Sequence, residues 1–401
     1  MRSKLAVLWV FLAAMAAQAQ PVRISAWYWL NSAPKAEWER DFRNMQALGL
    51  TEVVLCWGLD AAAFGLRIGD TRDAMEYARR AQLGAYIVFW HPEHNSLERR
   101  PEFQQVDAAG RLRFAFDVFN PKWRARQWKE YLQRVAQAYR DVPAMAGYVL
   151  DDSFGIGPIA TFGGKGGSPE QEIISYSEEV RRMFGAEPPR KRSNQLWDKW
   201  IQARAGWWED WARDTVGYIR AVDQNPQHEI YLEDEAHVLE AGKRDSVGLD
   251  FGRLAKHFDV VAAYTATPWD TPESGPKVAQ TTREVIRKMR ELLGPNKKLI
   301  YTFWVGNSDE LRNPGPARYP TVDQIRLIAE AALETGIRHL DMYGYRIGEY
   351  LVKEADWPSA RPGTGSTYPL TGQFPQKYLW DRPELHKELG AYLRSLNATK
   401  K

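Results

Sequence analysis

Acidic side chains stand at or near the ends of three short hydrophobic runs. Asp151-Asp152 follow GYVL, Glu233-Asp234-Glu235 follow EIYL, and Asp341 lies within RHLDMYGY. Two carboxyls over one cleft have a defined chemistry. One protonates the leaving oxygen of a glycosidic bond, and the other attacks the anomeric carbon or activates a water to do so. Crowding disfavours double ionisation and raises one pKa, which suits that group to donate a proton. Side chains of neighbouring strand residues point to opposite faces, so only one of each adjacent pair reaches a common cleft unless the strand has already ended. The candidate catalytic residues are therefore Asp151, Asp152, Glu233 and Glu235. Asp152 is the first choice as acid or nucleophile, Glu233 or Glu235 its partner, and Asp151 an orienting charge. Carboxyls near 5 Å apart would retain configuration, and about 6.5–9.5 Å would invert it. The competing structural roles are N-capping and ion pairing with Arg23 or Arg346.

The same run ends are rich in rings, in a chain holding 17 Trp, 18 Tyr and 15 Phe. Trp27, Trp57, Trp90, Tyr264, Trp269, Trp304 and Tyr343 are the candidates for a binding platform. Their apolar faces suit the C–H faces of pyranose rings, whose hydroxyls bond outward. Core packing is the alternative for each. His91, in HPEH, and Asp341 complete the candidate binding set, as partners for sugar hydroxyls. HPEH could also ligate a metal together with acids from the fourth and fifth runs, but Pro92 breaks helical spacing and no HExxH or HxH pattern is present. No metal or cofactor is expected. Neither Gly-x-Ser-x-Gly nor Gly-x-Gly-x-x-Gly follows a strand, which disfavours acyl transfer and dinucleotide binding. GGKGG at 163–167 lacks the Lys-Ser/Thr ending of a phosphate loop. Cys56, the sole cysteine, sits in a strand and reads as a buried inert thiol.

These residues must be positioned by an alternating framework. VRISAWYW, TEVVLCW, GAYIVFW, AGYVLD, HEIYLED, DVVAAYTA, KLIYTFW and RHLDMYGY read as eight short buried strands. Amphipathic segments lie between them. One opens at Pro34 and closes at Gly49, one begins at Asp70 as N-cap, and a long one starts at Pro121. Two more, near 168–184 and 194–222, fill an oversized fourth connection, and further helices follow the later strands. Strand–helix alternation in eight units is the pattern of an α/β (β/α)8 TIM barrel, whose active site lies at the C-terminal ends of the strands. Extended loops are expected after strands 3, 4 and 8. The first holds a hairpin around Ala109-Gly110, and the last, 354–382, is rich in Pro, Gly, Ser and Thr.

GYVLDDSFG, from Gly147 to Gly155, resembles the fourth-strand region of clan A glycoside hydrolases, especially the family-42 β-galactosidases. Their pattern there is Gly-aromatic-x-x-Asp-Asn-Glu-aromatic-Gly. The preceding AYRDVPAMAGY and the following Trp-rich WDKWIQARAGWWEDWARDTVGYIRAVDQNP share the likeness, which runs loosely from Val22 to Tyr350. The resemblance implies a glycosidase barrel, but Ser153 stands where the family has its acid/base Glu. The seventh strand reads KLIYTFWVGNSDE, with Val305 to Asn307 in place of the nucleophile and Glu310 several residues later. The usual pair is thus not carried over. LDDxF is similar to a string in other glycoside-hydrolase-like barrels, where an acidic pair ends strand four. That likeness moves the acids to Asp151 and Asp152, with a partner from strand five.

Residues 1–19 read as a signal peptide. Arg2 and Lys4 precede an apolar run too short to span a membrane well, and Ala17-Gln18-Ala19 supplies the small-x-small cleavage pattern before Gln20. Residues 20–401 would then form a single secreted or periplasmic barrel domain, without membrane attachment after cleavage. A net charge of +3 from interspersed acids and bases points away from nucleic acid. The expectation is a glycoside hydrolase cleaving O-glycosidic bonds in an oligo- or polysaccharide. The rival is a non-catalytic carbohydrate-binding barrel that has lost the clan's acids.

Overall fold

The computed structural model describes residues 21–57, 63–89, 101–106, 110, 112–150, 176–191, 193–235, 248, 250–265, 274–305, 320–346 and 379–398. Eight parallel strands close a barrel, interleaved with helices: a (β/α)8 TIM barrel. The barrel strands are β1 (Arg23–Trp29), β2 (Glu52–Cys56), β3 (Gly84–Phe89), β6 (Met145–Leu150), β7 (Glu229–Glu235), β8 (Val260–Thr265), β9 (Lys298–Trp304) and β10 (His339–Arg346). Each coincides with one of the eight hydrophobic runs. β4 (Gln104–Val106) and β5 (Leu112–Phe116) form the antiparallel hairpin expected after β3, with Gly110 at a positive φ of 80° between them.

The helices follow local chemistry. Pro34 caps α1 (Lys35–Leu48), and Gly49 ends it in the left-handed conformation at φ 98°. A short α2 (Ala63–Leu66) precedes α3 (Ile68–Arg80), which starts at Ile68. Asp70 therefore lies in the first turn of α3, beside the positive helix end, and Arg67 is the N-cap position instead. Asn120 caps the segment opening at Pro121–Trp123, accepting from the backbone of Lys122 and Trp123. That segment passes through a π-helical Arg124–Trp128 into Lys129–Tyr139. Thr321 and Gln324 form a reciprocal capping box for the helix Val322–Glu334.

Two apolar clusters divide the core. One joins strand residues such as Tyr28, Leu55, Tyr148 and Leu232 to helix residues such as Phe42, Val135 and Trp211; it is the layer between barrel and helices. The other contains strand residues alone, including Trp27, Trp29, Val54, Cys56, Tyr86, Val149, Tyr231 and Ile300, and is the barrel interior. The period-2 alternation of each strand assigns its residues to one or the other. Cys56 is 1% exposed within the interior cluster, as the sequence suggests.

Candidate active site at the barrel mouth

On β7, Tyr231 belongs to the interior and Ile230 and Leu232 to the outer layer, so Glu233 turns inward. It is 4% exposed and pairs in register with Ala262 on β8. Directly below it, the Tyr231 phenol is 1% exposed. Burial pushes this phenol well above its usual value, and the charges of Asp341 and Glu233 add to the shift. Two strands round the barrel from β7, Trp304 ends β9, and Tyr343 pairs with it from β10. Both rings are partly exposed, with centroids 4.7 Å apart and planes at 46°. These two aromatic side chains and Glu233 share the inner face of one lumen near its C-terminal end.

Three of the proposed binding residues occupy other places. Trp57 points away from the lumen. Its indole N–H donates to Thr71 Oγ1 at 2.9 Å, its ring meets Trp38 edge-on at 6.0 Å, and it is 2% exposed in the outer layer. It packs barrel against helices and offers no face to a sugar. Trp27 does face the lumen, but it is fully buried beneath Tyr343, 5.0 Å between centroids. Asp341 is likewise fully buried, because β10 runs on to Arg346 and leaves this residue in mid-barrel. Its Oδ1 accepts from Ser25 Oγ at 2.5 Å, and its Oδ2 accepts from Trp27 Nε1 at 2.8 Å and Thr302 Oγ1 at 3.1 Å. Burial raises its pKa, against the lowering effect of these donors and His339. Asp341 thus ties β1, β9 and β10 together under the Tyr343 ring rather than meeting a ligand itself.

Asp151, Asp152, Trp90, His91 and Trp269 lie outside the described residues, as do the side chains of Glu235 and Tyr264. The backbone of Glu235 ends β7, paired with Tyr264. Neither Arg23 nor Arg346 engages Glu233 in the pairs seen. Arg23 binds Glu52 at 2.7 Å and Glu229 at 2.8 Å, and Arg346 binds Glu37 and Asp41 at 2.7 Å each. The described end of β9 carries no carboxylate, for Trp304 is followed by a fully buried Val305 whose backbone N–H donates to the Tyr343 carbonyl at 2.9 Å. Among the described residues, no group of three or more His, Cys, Asp or Glu converges as a metal site would require. No described helix is long and apolar enough to cross a membrane.

The N-terminal end of the same lumen is also polar. Tyr86 receives Arg23 and donates to Glu229 Oε2 at 2.7 Å, and His339 Nε2 lies 3.0 Å from Glu52 and 2.9 Å from Ser25 Oγ. Burial alone would raise the Glu52 pKa, but the charges and hydrogen bonds of His339 and Arg23 hold it at about 2. Gly147 makes the room for this arrangement. A Cβ there would lie 2.0 Å from the Glu229 carbonyl oxygen and 2.7 Å from the Tyr86 ring.

No family model and no curated protein matches the sequence. Solved structures do match the fold. A β-galactosidase from the psychrophilic Marinomonas ef1 superimposes with TM-score 0.60 at 13% identity, over 80% of this chain and 54% of that one. A β-galactosidase from Bacillus circulans sp. alkalophilus gives 0.65 at 13% identity, over 94% of this chain and 57% of that one. The glycoside hydrolase domain of PgaB (BpsB) from Bordetella bronchiseptica gives 0.55 at 13% identity, over 81% of this chain and 94% of that domain. The chain thus spans little more than half the length of the two β-galactosidases. What it shares with all three, at this level of identity, is the barrel architecture of glycoside hydrolases.

Proposed function

We propose that this chain is a secreted or periplasmic glycoside hydrolase, with residues 20–401 forming one barrel domain after removal of a signal peptide. Its substrate would be an oligo- or polysaccharide cleaved at an O-glycosidic bond. The observation that carries the reading is the inward Glu233 carboxyl sharing the upper lumen with the part-exposed Trp304–Tyr343 pair. Such a pair suits stacking of a sugar ring, and Glu233 supplies one of the two carboxyls hydrolysis needs. The second is assigned to the end of strand β6. There Val149 faces in and Leu150 out, and Asp151 and Asp152, next in the sequence, are the two candidates. Glu235, Trp90, His91, Tyr264 and Trp269 remain candidates for the same cleft.

Release of reducing sugar from a panel of β-galactan, mannan, glucan and amino-sugar polymers tests the proposal. Turnover lost in Glu233→Gln and in one of Asp151→Asn or Asp152→Asn supports it, and full activity in all three removes these acids from the mechanism. One observation favours a second reading, a sugar-binding barrel without catalysis. Ser153 stands at one clan position, and the described end of β9 carries no carboxylate for the other. Saturable sugar binding with no turnover, unaffected by Glu233→Gln, selects that reading.

A further inference from the structure

We propose that Asn31 contacts the sugar at the corner of the mouth between β1 and β10, its amide taking a pair of neighbouring hydroxyls. The inference rests on the carbohydrate reading above and adds a residue that neither motif nor likeness singles out. Asn31 lies in the 3-10 turn Leu30–Ser32 that leaves β1 at the C-terminal end of the barrel.

The rest of this turn is tightly satisfied. Trp38, itself 3% exposed, donates its indole N–H to the carbonyls of Leu30 at 3.1 Å and Ala33 at 3.2 Å. Ser32 Oγ donates to the Trp29 carbonyl at 2.6 Å and reaches the Arg346 carbonyl at 3.4 Å, which ties the turn to the end of β10. Arg346 is in turn clamped by Glu37 and Asp41 and lies 3.8 Å over the Trp380 ring. The Asn31 side chain is the exception. It is 7% exposed, and neither Oδ1 nor Nδ2 has a hydrogen-bond partner among the described residues.

Most buried polar groups in folded proteins are paired, and an unpaired amide costs roughly 1–3 kcal/mol in protein contexts. Among the described residues nothing completes it, and the proposal gives that place to a ligand. A primary amide offers a donor and an acceptor side by side. Adjacent hydroxyls on a pyranose, each both donor and acceptor, match that edge. An anion would use the Nδ2 protons and leave Oδ1 unpaired, and an apolar ligand would leave both.

Asn31→Leu is nearly isosteric and separates the outcomes. Removing an unsatisfied amide while keeping its shape is neutral or stabilising. The expected result is an unchanged or higher Tm with affinity for oligosaccharide reduced about tenfold or more. The measurement is calorimetric titration of the mature protein with cellotetraose, mannotetraose, galactotetraose and the tetramer of N-acetylglucosamine, alongside thermal unfolding. An unchanged affinity, at whatever Tm, overturns the assignment and leaves a buried water as the amide's partner. A lower Tm also overturns it, since the amide would then be making a structural bond. If the wild-type protein binds none of the four, the carbohydrate reading and this inference fall together. Wild-type binding that Asn31→Leu leaves intact removes only the inference.

Discussion

At the N-terminal end of the barrel, Arg23, Glu52, Tyr86, Glu229 and His339 interlock by short hydrogen bonds and ion pairs across β1, β2, β3, β7 and β10. At the C-terminal end, β7 presents Glu233, β9 and β10 a part-exposed aromatic pair, and the turn after β1 an Asn31 amide with no hydrogen-bond partner among the described residues. Both ends place polar groups in a lumen otherwise filled with Val, Ile, Tyr and Trp. At the lower end these groups bond chiefly to one another, with His339 Nδ1 left over among the described residues. A buried ionic cluster is costly to break, whereas a part-exposed ring pair can be reached by a ligand. In enzymes of this fold the active site lies at the C-terminal face and the opposite face serves stability.

The contrast is broken most directly by exchanging one acid at each end. Glu233→Gln should lower kcat by about 1,000-fold, equivalent to about 4 kcal/mol of barrier, because the amide can neither donate nor take the proton. Its Tm should shift by little. Sugar release and thermal unfolding measured on the same preparation show whether the two quantities separate. A large fall in Tm with unchanged turnover would make Glu233 a member of the structural set instead.

Gly147→Ala addresses the lower end through sterics rather than charge. The added methyl would meet backbone at 2.0 Å and the Tyr86 ring at 2.7 Å, so β6 or β7 must shift. The expected loss is about 3 kcal/mol or more, seen as poor soluble yield or a Tm lowered by many degrees.

Glu52→Gln should cost on the order of 3 kcal/mol, since it takes the carboxylate from buried His339 and leaves Arg23 with Glu229 alone. The pH dependence has a definite sign. The folded carboxyl titrates at about 2 against an ordinary 4.5, so its stabilisation is complete above pH 4.5 and is lost as pH falls toward 2. Denaturant unfolding of wild type and variant should converge across that interval. A difference that stays constant down to pH 2 would show that Glu52 contributes by packing and not by charge.

The sequence reveals the eight strands because each is a short apolar run set between longer amphipathic segments. It does not reveal which residues face inward, because parallel barrel strands are buried on both sides and show no polar alternation. Trp57 follows β2 as plausibly as Trp304 ends β9, yet one packs on Thr71 in the helical layer and the other opens into the lumen. Asp341 resembles a strand-end acid only if β10 stops early; three further residues with ladder partners, to Arg346, leave it in mid-barrel. Glu233 is legible because HEIYLED ends where the barrel does. Asn31 has no signal at all, since an Asn in a turn ordinarily bonds its own backbone.

The finest test of the division between regions sets two ring substitutions against each other. Tyr343→Ala removes a mouth ring and should weaken oligosaccharide binding roughly twofold to thirteenfold, the 0.5–1.5 kcal/mol expected of one aromatic contact. Trp57→Phe removes only an indole hydrogen bond to Thr71, worth about 1 kcal/mol, and should lower Tm slightly. Its sugar affinity should match wild type, because β2 lies between this ring and the lumen. Titration with the same tetrasaccharides compares the two. A Trp57→Phe protein that binds sugar as poorly as Tyr343→Ala would mean that the outer layer sets the geometry of the mouth, and the boundary between structural and functional rings would have to be redrawn around the helices.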